Sequence, residues 1–169
     1  MDNQINLNDI TIRTILQPGD IGYVTYMHGH LYRQEYGYGV SFEAYVAQGL
    51  YEFYKNYDAK LDCVWIAEHE GKIVGFLLLM HRQPAEAQLR YFILHPTYRG
   101  IGLGKKLAAL YMNHLKKNGY KKSYLLTTDE LFTAAHIYQK MGFILTEEIP
   151  STAFGKPLKE QRYDMVINN

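Results

Sequence analysis

The chain contains a single cysteine, Cys63, among its 169 residues, and therefore cannot form an internal disulfide. This suits a reducing compartment. Cys63 lies in the apolar run CVWIA with no histidine motif beside it, which predicts a small buried thiol on a strand rather than a nucleophile. No stretch approaches the roughly 18 apolar residues of a membrane span, and no basic region followed by a long apolar segment opens the chain. We expect a soluble cytoplasmic protein.

The chain also lacks an excess of charge of one sign, because 18 Lys and Arg face 17 Asp and Glu, for a net charge of +1. No general field would draw nucleic acid or an anionic membrane to its surface. His28 and His30 lie two residues apart, which on a helix points them away from each other, and no His-Glu-x-x-His pattern is present. We therefore expect no nucleic acid, no membrane and no metal as partners.

Apolar residues are plentiful, at 47% of the chain, and a chain of this length suits one domain, which we predict to span residues 1–169. The periodicity of these residues predicts elements in the order β, α, α, β, β, β, α, β, α, β, β. Strands joined by hairpins, beside strands joined through helices, imply an α/β (α+β) fold with a mixed sheet and helices on its faces.

Local signals place several elements more closely. The run from Leu77 to Met80 is too apolar for a solvated face, so its strand should be central. Ser41 is a good N-cap for an amphipathic helix, and Thr127 with Glu130 could form a capping box for a later one. Residues 83–87 are expected to form a loop.

The most informative stretch is residues 88–107, QLRYFILHPTYRGIGLGKKL. An apolar strand ends at Pro96, three glycines allow close approach of a ligand and positive φ, and a helix begins at Leu103. Free amides at the start of that helix would face a phosphate group. The spacing G-x-G-x-G differs from the G-x-G-x-x-G of dinucleotide sites, and Gly104 is followed by two lysines rather than the Lys-Ser/Thr of a P-loop. The stretch therefore predicts an anion site of another kind.

The loop resembles the acyl-CoA site of the GNAT superfamily of N-acyltransferases, whose signature is Arg/Gln-x-x-Gly-x-Gly/Ala after a strand. Arg99, Gly102 and Gly104 meet that pattern. A second segment, Ala134 with Ile137-Tyr138-x-Lys140-x-Gly142-Phe143, is similar to the family's A-x-x-L/I-Y-x-K-x-G-F. The resemblance covers nearly the whole chain and implies the GNAT fold, a central mixed, mostly antiparallel sheet flanked by helices on both faces.

The wider sequence, including PGDIGYV, HGHLY, SFEAYVAQGL and EQRYDM, resembles the acetyltransferase domain found fused to MarR-type winged-helix regulators. No winged-helix pattern occurs in residues 1–169, so DNA regulation is not carried over with the resemblance. Leu131 replaces the asparagine often found seven residues before the family's tyrosine. This departure leaves one side-chain contact to the cofactor unsupported.

The resemblance implies acetyl-CoA as co-substrate, with loop amides on its pyrophosphate, strand residues along its pantetheine arm and an amide near Leu94 on the acyl carbonyl. It also places Tyr138 near the sulfur, where the hydroxyl could protonate the leaving thiolate. The residues expected to bind the cofactor are Phe92, Ile93, Leu94, Arg99, Gly100, Ile101, Gly102, Leu103, Gly104, Lys105, Ala135 and Tyr138.

An amine acceptor must lose a proton before it can attack, since a lysine-like amine with a pKa near 10.4 is neutral in only about one molecule in a few thousand at pH 7. Glu68, at the end of its strand, is the first candidate base, with Glu35 and His28 behind it. Glu35, Tyr36 and Tyr38 belong to an aromatic stretch that either walls an acceptor pocket or forms core and rim. Both interpretations stay open.

The function implied is an acyl-CoA-dependent N-acyltransferase that transfers acetyl from acetyl-CoA to a primary amine by direct attack in a ternary complex. The alternative is a non-catalytic module of the same fold that senses acyl-CoA or binds a protein. The expected acceptor is a small-molecule or peptide amine, and the sequence leaves both a monomer and a homodimer open.

Overall fold

The computed structural model describes residues 5–168. The strands are β1 (Thr11–Arg13), β2 (Cys63–His69), β3 (Lys72–Gln83), β4 (Glu86–Leu94), β5 (Lys122–Thr128), β6 (Ile144–Ser151) and β7 (Leu158–Val166). The helices are α1 (Asp20–Tyr36), α2 (Val40–Lys55), α3 (Leu103–Lys117) and α4 (Phe132–Met141), with short 3-10 turns at Leu7–Asp9 and Pro96–Tyr98. The predicted order of elements is confirmed. The single domain over residues 1–169 stays a prediction.

The strands form one sheet in the order β1-β2-β3-β4-β5-β7-β6. Neighbouring strands run antiparallel except for β4 and β5, which run parallel. The parallel pair follows from the connection, because α3 carries the chain back to the starting edge before β5 begins. The mixed, mostly antiparallel sheet is therefore as predicted.

Strand β3 lies third in the sheet, and its residues 73–80 are buried. Leu77 and Leu79 pack into a core with α3 and α4, whereas Phe76 and Leu78 pack into a second core with α1 and α2. Side chains alternate between the two faces of a strand, so a strand covered on both faces must be apolar throughout. The prediction that this strand is central is confirmed.

Helix α3 buries one face against the sheet, and this face positions the loop before it. Its buried residues are Leu103, Leu107, Ala108, Tyr111 and Leu115. The helix predicted to begin at Leu103 is therefore confirmed. The helix ends at Lys117, and Gly119 follows with φ +72°, a left-handed conformation that terminates helices.

Strand β4 contains a bulge at Tyr91, which has φ +54°. The four residues of β4 from Arg90 to Ile93 lie opposite only three residues of β3, from Phe76 to Leu78. The extra residue reverses the side-chain alternation, so Leu89 packs with α3 and α4 while Tyr91, two positions on, packs with α1 and α2. Phe92 then returns to the α3 and α4 side.

Three local predictions were wrong. Helix α2 begins at Val40 after Gly39, and Ser41 makes no cap. The capping box at Thr127 does not form, because β5 continues to Thr128 in register with β7 and α4 begins only after Leu131. Residues 83–87 are a tight hairpin rather than a loop, because β3 and β4 pair up to Gln83 opposite Glu86. In the last two cases strand pairing outweighs the local signal.

The buried core should dominate stability. Ile66 on β2 is 0% exposed and Ile144 on β6 is 69% exposed, so the same truncation tests burial alone. Ile66→Ala should lower the free energy of unfolding by about 2–5 kcal/mol. Ile144→Ala should cost under about 1 kcal/mol, the range of strand propensity. Urea unfolding measures both, and equal losses would contradict this assignment of the core.

Candidate active site

The glycine loop lies between the end of β4 and the start of α3. Gly100 and Gly102 have φ of +82° and +93°, in the left-handed region that favours glycine. Gly102 is the N-cap of α3 and provides no side chain to bind the helix amides. The first amides of a helix have no partner within it, so those that follow Gly102 are available to an anionic ligand.

Charge around the loop favours the same ligand. The first turn of α3 contains no acidic residue, and Lys105 and Lys106 are exposed there. Gly104 was also expected to have a positive φ, but it lies within the helix and does not. A Cβ at Gly104 would lie 3.4 Å from the Leu94 Cδ1 atom, close to an ordinary van der Waals contact. The loop therefore fits a pyrophosphate group such as that of CoA.

Arg99 ties the loop to two other elements. Its guanidinium donates to both carboxylate oxygens of Glu35 on α1, at 2.9 and 2.8 Å, and to the Leu94 carbonyl oxygen at 3.2 Å. Glu35, predicted as an acceptor-binding residue, is thus held in an ion pair. Tyr36 is half-buried beside it, and its carbonyl oxygen accepts a hydrogen bond from Lys156 at 3.0 Å. The roles predicted for these residues stay predictions.

The sheet opens between β4 and β5. The two strands pair from Glu86 opposite Lys122 to Leu89 opposite Leu125, and pairing stops there. Strand β5 continues to Thr128 against β7. Backbone groups of β4 beyond Leu89 therefore lack a partner on β5. The resulting gap connects the two faces of the sheet.

A cavity of about 110 Å³ occupies this gap. On the α3 and α4 side it is lined by Leu89, Phe92 and Tyr138. On the α1 and α2 side it is lined by His28, Tyr32, Tyr38, Phe42, Tyr45, Tyr91 and Phe154. The cavity thus crosses the sheet, and the bulge at Tyr91 makes this arrangement, because it turns Phe92 towards Tyr138. The centroids of these two rings are 6.4 Å apart.

Tyr138 on α4 is buried, and burial raises the pKa of its hydroxyl well above the ordinary value. The phenol is therefore protonated at neutral pH. Among residues 5–168 its hydroxyl has no hydrogen-bond partner, although its ring packs against Phe92, Phe143 and Tyr163. Ala135 lies one turn earlier on the same helix and is half-buried. A protonated phenol without a partner is available to a ligand in the cavity.

The opposite wall is a cluster of aromatic rings. Tyr32 stacks on Phe42 with centroids 4.6 Å apart, and Phe154 packs edge-on against Phe42 at 5.0 Å. The Tyr38 hydroxyl is 2.6 Å from the Thr128 hydroxyl oxygen, which fixes this ring against the end of β5. The cluster forms both core and cavity wall, so the two interpretations of the aromatic stretch are not exclusive.

His28 lies in the same wall and is 3% exposed. Burial lowers its pKa to about 4, and its Nδ1 donates to the Val24 carbonyl oxygen at 2.8 Å. The imidazole is therefore neutral at pH 7. Tyr91 packs edge-on against it at 5.6 Å, and burial raises the pKa of the Tyr91 hydroxyl to about 12.

Two charged residues that line the cavity were not predicted from the sequence. Glu160 on β7 lines it, opposite Thr128 in the ladder, and its carboxylate accepts a hydrogen bond from the Ser151 hydroxyl at 2.6 Å. Arg90 on β4 also lines it. Glu160 carries no local signal, because the register between β5 and β7 places it. Arg90 could have been found only by predicting the bulge beside it.

Glu68, the first candidate for the catalytic base, lies elsewhere. It is on β2, two strands from the gap, which corresponds to about 10 Å at the usual strand spacing. Its carboxylate accepts from Arg13 at 2.8 Å, and Arg13 also binds both oxygens of Asp20 at 2.7 Å. The structure does not bring Glu68 together with Tyr138, and its role stays a prediction.

Two other expectations concern absences. Within residues 5–168 no group of three or more His, Cys, Asp or Glu side chains is arranged to hold a metal ion. No helix in the same range is long and apolar enough to cross a membrane. Cys63 is half-buried on β2, and burial raises the pKa of its thiol to about 11, so the thiol is protonated at neutral pH.

Comparison with known proteins identifies the family. The model of the acetyltransferase (GNAT) family matches residues 27–143, and the chain therefore belongs to this family. The uncharacterized N-acetyltransferase YjgM of Escherichia coli (strain K12) is 36% identical over 97 residues, which cover 54% of this chain and 57% of YjgM. The matched region thus spans little more than half the length of this relative.

Solved structures share the fold at low identity. An acetyltransferase of the GNAT family from Staphylococcus aureus Mu50 has a TM-score of 0.76 at 19% identity, covering 94% of this chain and 99% of that one. The acetyltransferase yncA from Salmonella typhimurium, solved with its cofactor acetyl-CoA, has a TM-score of 0.70 at 15% identity, covering 95% of each chain. These likenesses confirm the predicted fold class.

The glycine loop can be tested with a matched pair of substitutions. Gly102 and Gly119 lie at opposite ends of α3, both with positive φ and neither within 3.5 Å of other atoms at the Cβ position. Valine at either position should cost about 1–3 kcal/mol in backbone strain. Only Gly102→Val places methyl groups beside the helix amides, so it alone should abolish acetyl-CoA binding in calorimetry. Unchanged affinity in folded Gly102→Val would rule out the loop.

Proposed function

We propose that the protein transfers acetyl from acetyl-CoA to a primary amine by direct attack in a ternary complex. The observation that carries this proposal is the cavity that crosses the sheet between β4 and β5. One of its ends reaches Tyr138 and the strand that leads into the anion-binding loop, and the other reaches the aromatic wall. Two substrates that enter from opposite faces would therefore meet in the gap.

The residues of the CoA side fit their ligand. Acetyl-CoA supplies an acetyl group activated as a thioester. The amides of residues 100–105 and the charge of Lys105 would hold its pyrophosphate. Residues 92–94, which no longer pair with β5, would offer the backbone groups on that edge to the extended pantetheine arm. An amide near Leu94 would polarise the acyl carbonyl.

The acceptor amine needs a group that removes its proton. Glu160 is a carboxylate that lines the cavity, so it is the base that the geometry favours, acting directly or through one water molecule. Glu68 stays the candidate predicted from sequence, at a distance that would require a chain of water molecules. We propose Glu160 first and retain Glu68 as the alternative.

The leaving thiolate needs a proton in turn. The Tyr138 hydroxyl, protonated and without a partner in the described structure, would donate a hydrogen bond to the sulfur as its bond to the acyl carbon breaks. Its raised pKa makes the free phenol a weak acid. The acceptor ammonium loses one proton to the base before attack. The nitrogen loses a second proton once the C–N bond has formed, and this proton can restore the phenol, so the proton gained by sulfur comes in the end from nitrogen.

Tyr138→Phe separates this role from packing. The substitution removes one hydroxyl that bonds nothing in the described structure, so it should preserve the fold and acetyl-CoA affinity but lower kcat at least about tenfold. Tyr111→Phe is the matched control, because it removes a buried hydroxyl that lies 2.7 Å from the Ser123 hydroxyl oxygen, away from the cavity. It should lower stability without changing kcat. Parental kcat in Tyr138→Phe at saturating substrates would leave Tyr138 as a core residue.

Glu160→Gln and Glu68→Gln distinguish the two candidate bases. The variant that loses the base should lose kcat/KM most at low pH, because the acceptor amine becomes neutral without help as pH approaches its own pKa. We expect Glu160→Gln to show this divergence and Glu68→Gln to follow the parental pH profile. The opposite result would return the role to Glu68, and two parental profiles would exclude both.

A further inference from the structure

Arg90 holds an unusual position in the cavity wall. The bulge at Tyr91 places two consecutive side chains on the same face of β4, so Arg90 and Tyr91 both line the cavity. The Arg90 guanidinium lies 4.7 Å from the centroid of the Tyr91 ring and 5.9 Å from that of Tyr45. It also lies 3.4 Å from the Tyr45 hydroxyl oxygen. These contacts fix the orientation of the guanidinium.

The charge of Arg90 is not neutralised within residues 5–168, because no carboxylate of this range lies within ion-pair distance of it. Neighbouring Arg82 adds a second positive charge, since it donates to the neutral amide oxygen of Gln88. The Glu52 carboxylate borders the outer depression that adjoins the cavity, but it accepts from Gln48 at 3.0 Å instead. A half-buried, oriented guanidinium without a counter-ion is suited to bind an anionic group of a ligand.

Glu160 is the complementary charge in the same cavity. Its carboxylate accepts from the neutral Ser151 hydroxyl and has no cation within ion-pair distance in the described range. The cavity therefore contains one carboxylate and one guanidinium, each without a charged partner, and aromatic rings form the surface around them. A ligand that satisfies all three features carries an ammonium group, a carboxylate and an apolar side chain.

We propose that the acceptor is a free α-amino acid with an aromatic or branched aliphatic side chain. Its amine lies against Glu160, its carboxylate binds Arg90, and its side chain packs on the aromatic wall. This inference rests on the proposed function for the identity of the site, and it adds the substrate class. A polyamine is disfavoured, because its second ammonium group would meet Arg90 rather than a carboxylate.

Paired acceptors isolate the carboxylate. Release of CoA thiol is measured with L-phenylalanine and L-leucine, and with the primary amide of each, which keeps the amine and side chain. The α-amine of the amide is less basic, so a larger fraction of it is neutral at pH 7. Without a contact to the carboxylate, the amide should therefore be the better acceptor. We expect kcat/KM to be at least about tenfold higher for the free acid, the effect of one charged hydrogen bond. A preference for the amide would overturn the inference.

Arg90→Gln then tests the residue itself. It should lower kcat/KM for the free acid about 10- to 100-fold and leave the value for the amide within about threefold. Arg33→Gln, which removes an exposed arginine of α1 outside the cavity lining, is the control for loss of one positive charge. Equal effects of Arg90→Gln on acid and amide would contradict recognition of the carboxylate.

Calorimetry separates failure of this inference from failure of the proposed function. L-phenylalanine should bind the parental protein in the presence of CoA, and bind Arg90→Gln at least about tenfold more weakly, while both proteins keep a cooperative thermal transition. If this result is obtained but no amine supports thiol release, binding of an amino acid through Arg90 is supported and the proposed acetyl transfer is contradicted. If amines support release but L-phenylalanine binds both proteins equally, the proposed acetyl transfer is supported and binding of the ligand carboxylate by Arg90 is contradicted.

Discussion

The structure depends on the point at which β4 and β5 stop pairing, after Leu89 and Leu125. Parallel neighbours need a long connection, and here α3 provides it, so the free end of β4 leads directly into the glycine loop. Residues 90–94 still pair with β3 on one edge, but their backbone groups on the β5 side have no strand partner, and an extended ligand arm could pair with them. The exposed amides at the start of α3 and the opening in the sheet are thus two consequences of the same strand ending.

The bulge at Tyr91 determines what faces this opening. A tyrosine with φ +54° is strained, and such strain, of order 1–3 kcal/mol, persists only where the surroundings enforce it. Here pairing with β3 fixes both sides of the bulge, and Gly49 on α2 leaves room for the ring, since a Cβ there would lie 2.0 Å from the Tyr91 hydroxyl. Without the extra residue, Arg90 and Tyr91 would point to opposite faces.

Sequence patterns predicted what depends on local periodicity. The start of α3 at Leu103, the central position of β3 and the left-handed glycines at 100 and 102 all follow from residue types within one segment. The features that were missed depend on pairing between distant segments. Glu160 reaches the cavity only because β7 pairs with β5 in one register, and Thr127 stays in a strand for the same reason. Tertiary pairing of this kind leaves no local trace.

The ion pair between Arg99 and Glu35 joins the two halves of the site. Its groups are 44% and 26% exposed, and exposed pairs contribute at most about 1 kcal/mol to stability. Its geometry is more informative than its energy, because the guanidinium binds both carboxylate oxygens and also the carbonyl that ends β4. A bidentate contact fixes orientation. Helix α1, which carries part of the aromatic wall, is thereby aligned with the glycine loop, so the relative position of the aromatic wall and the loop is fixed by the ion pair.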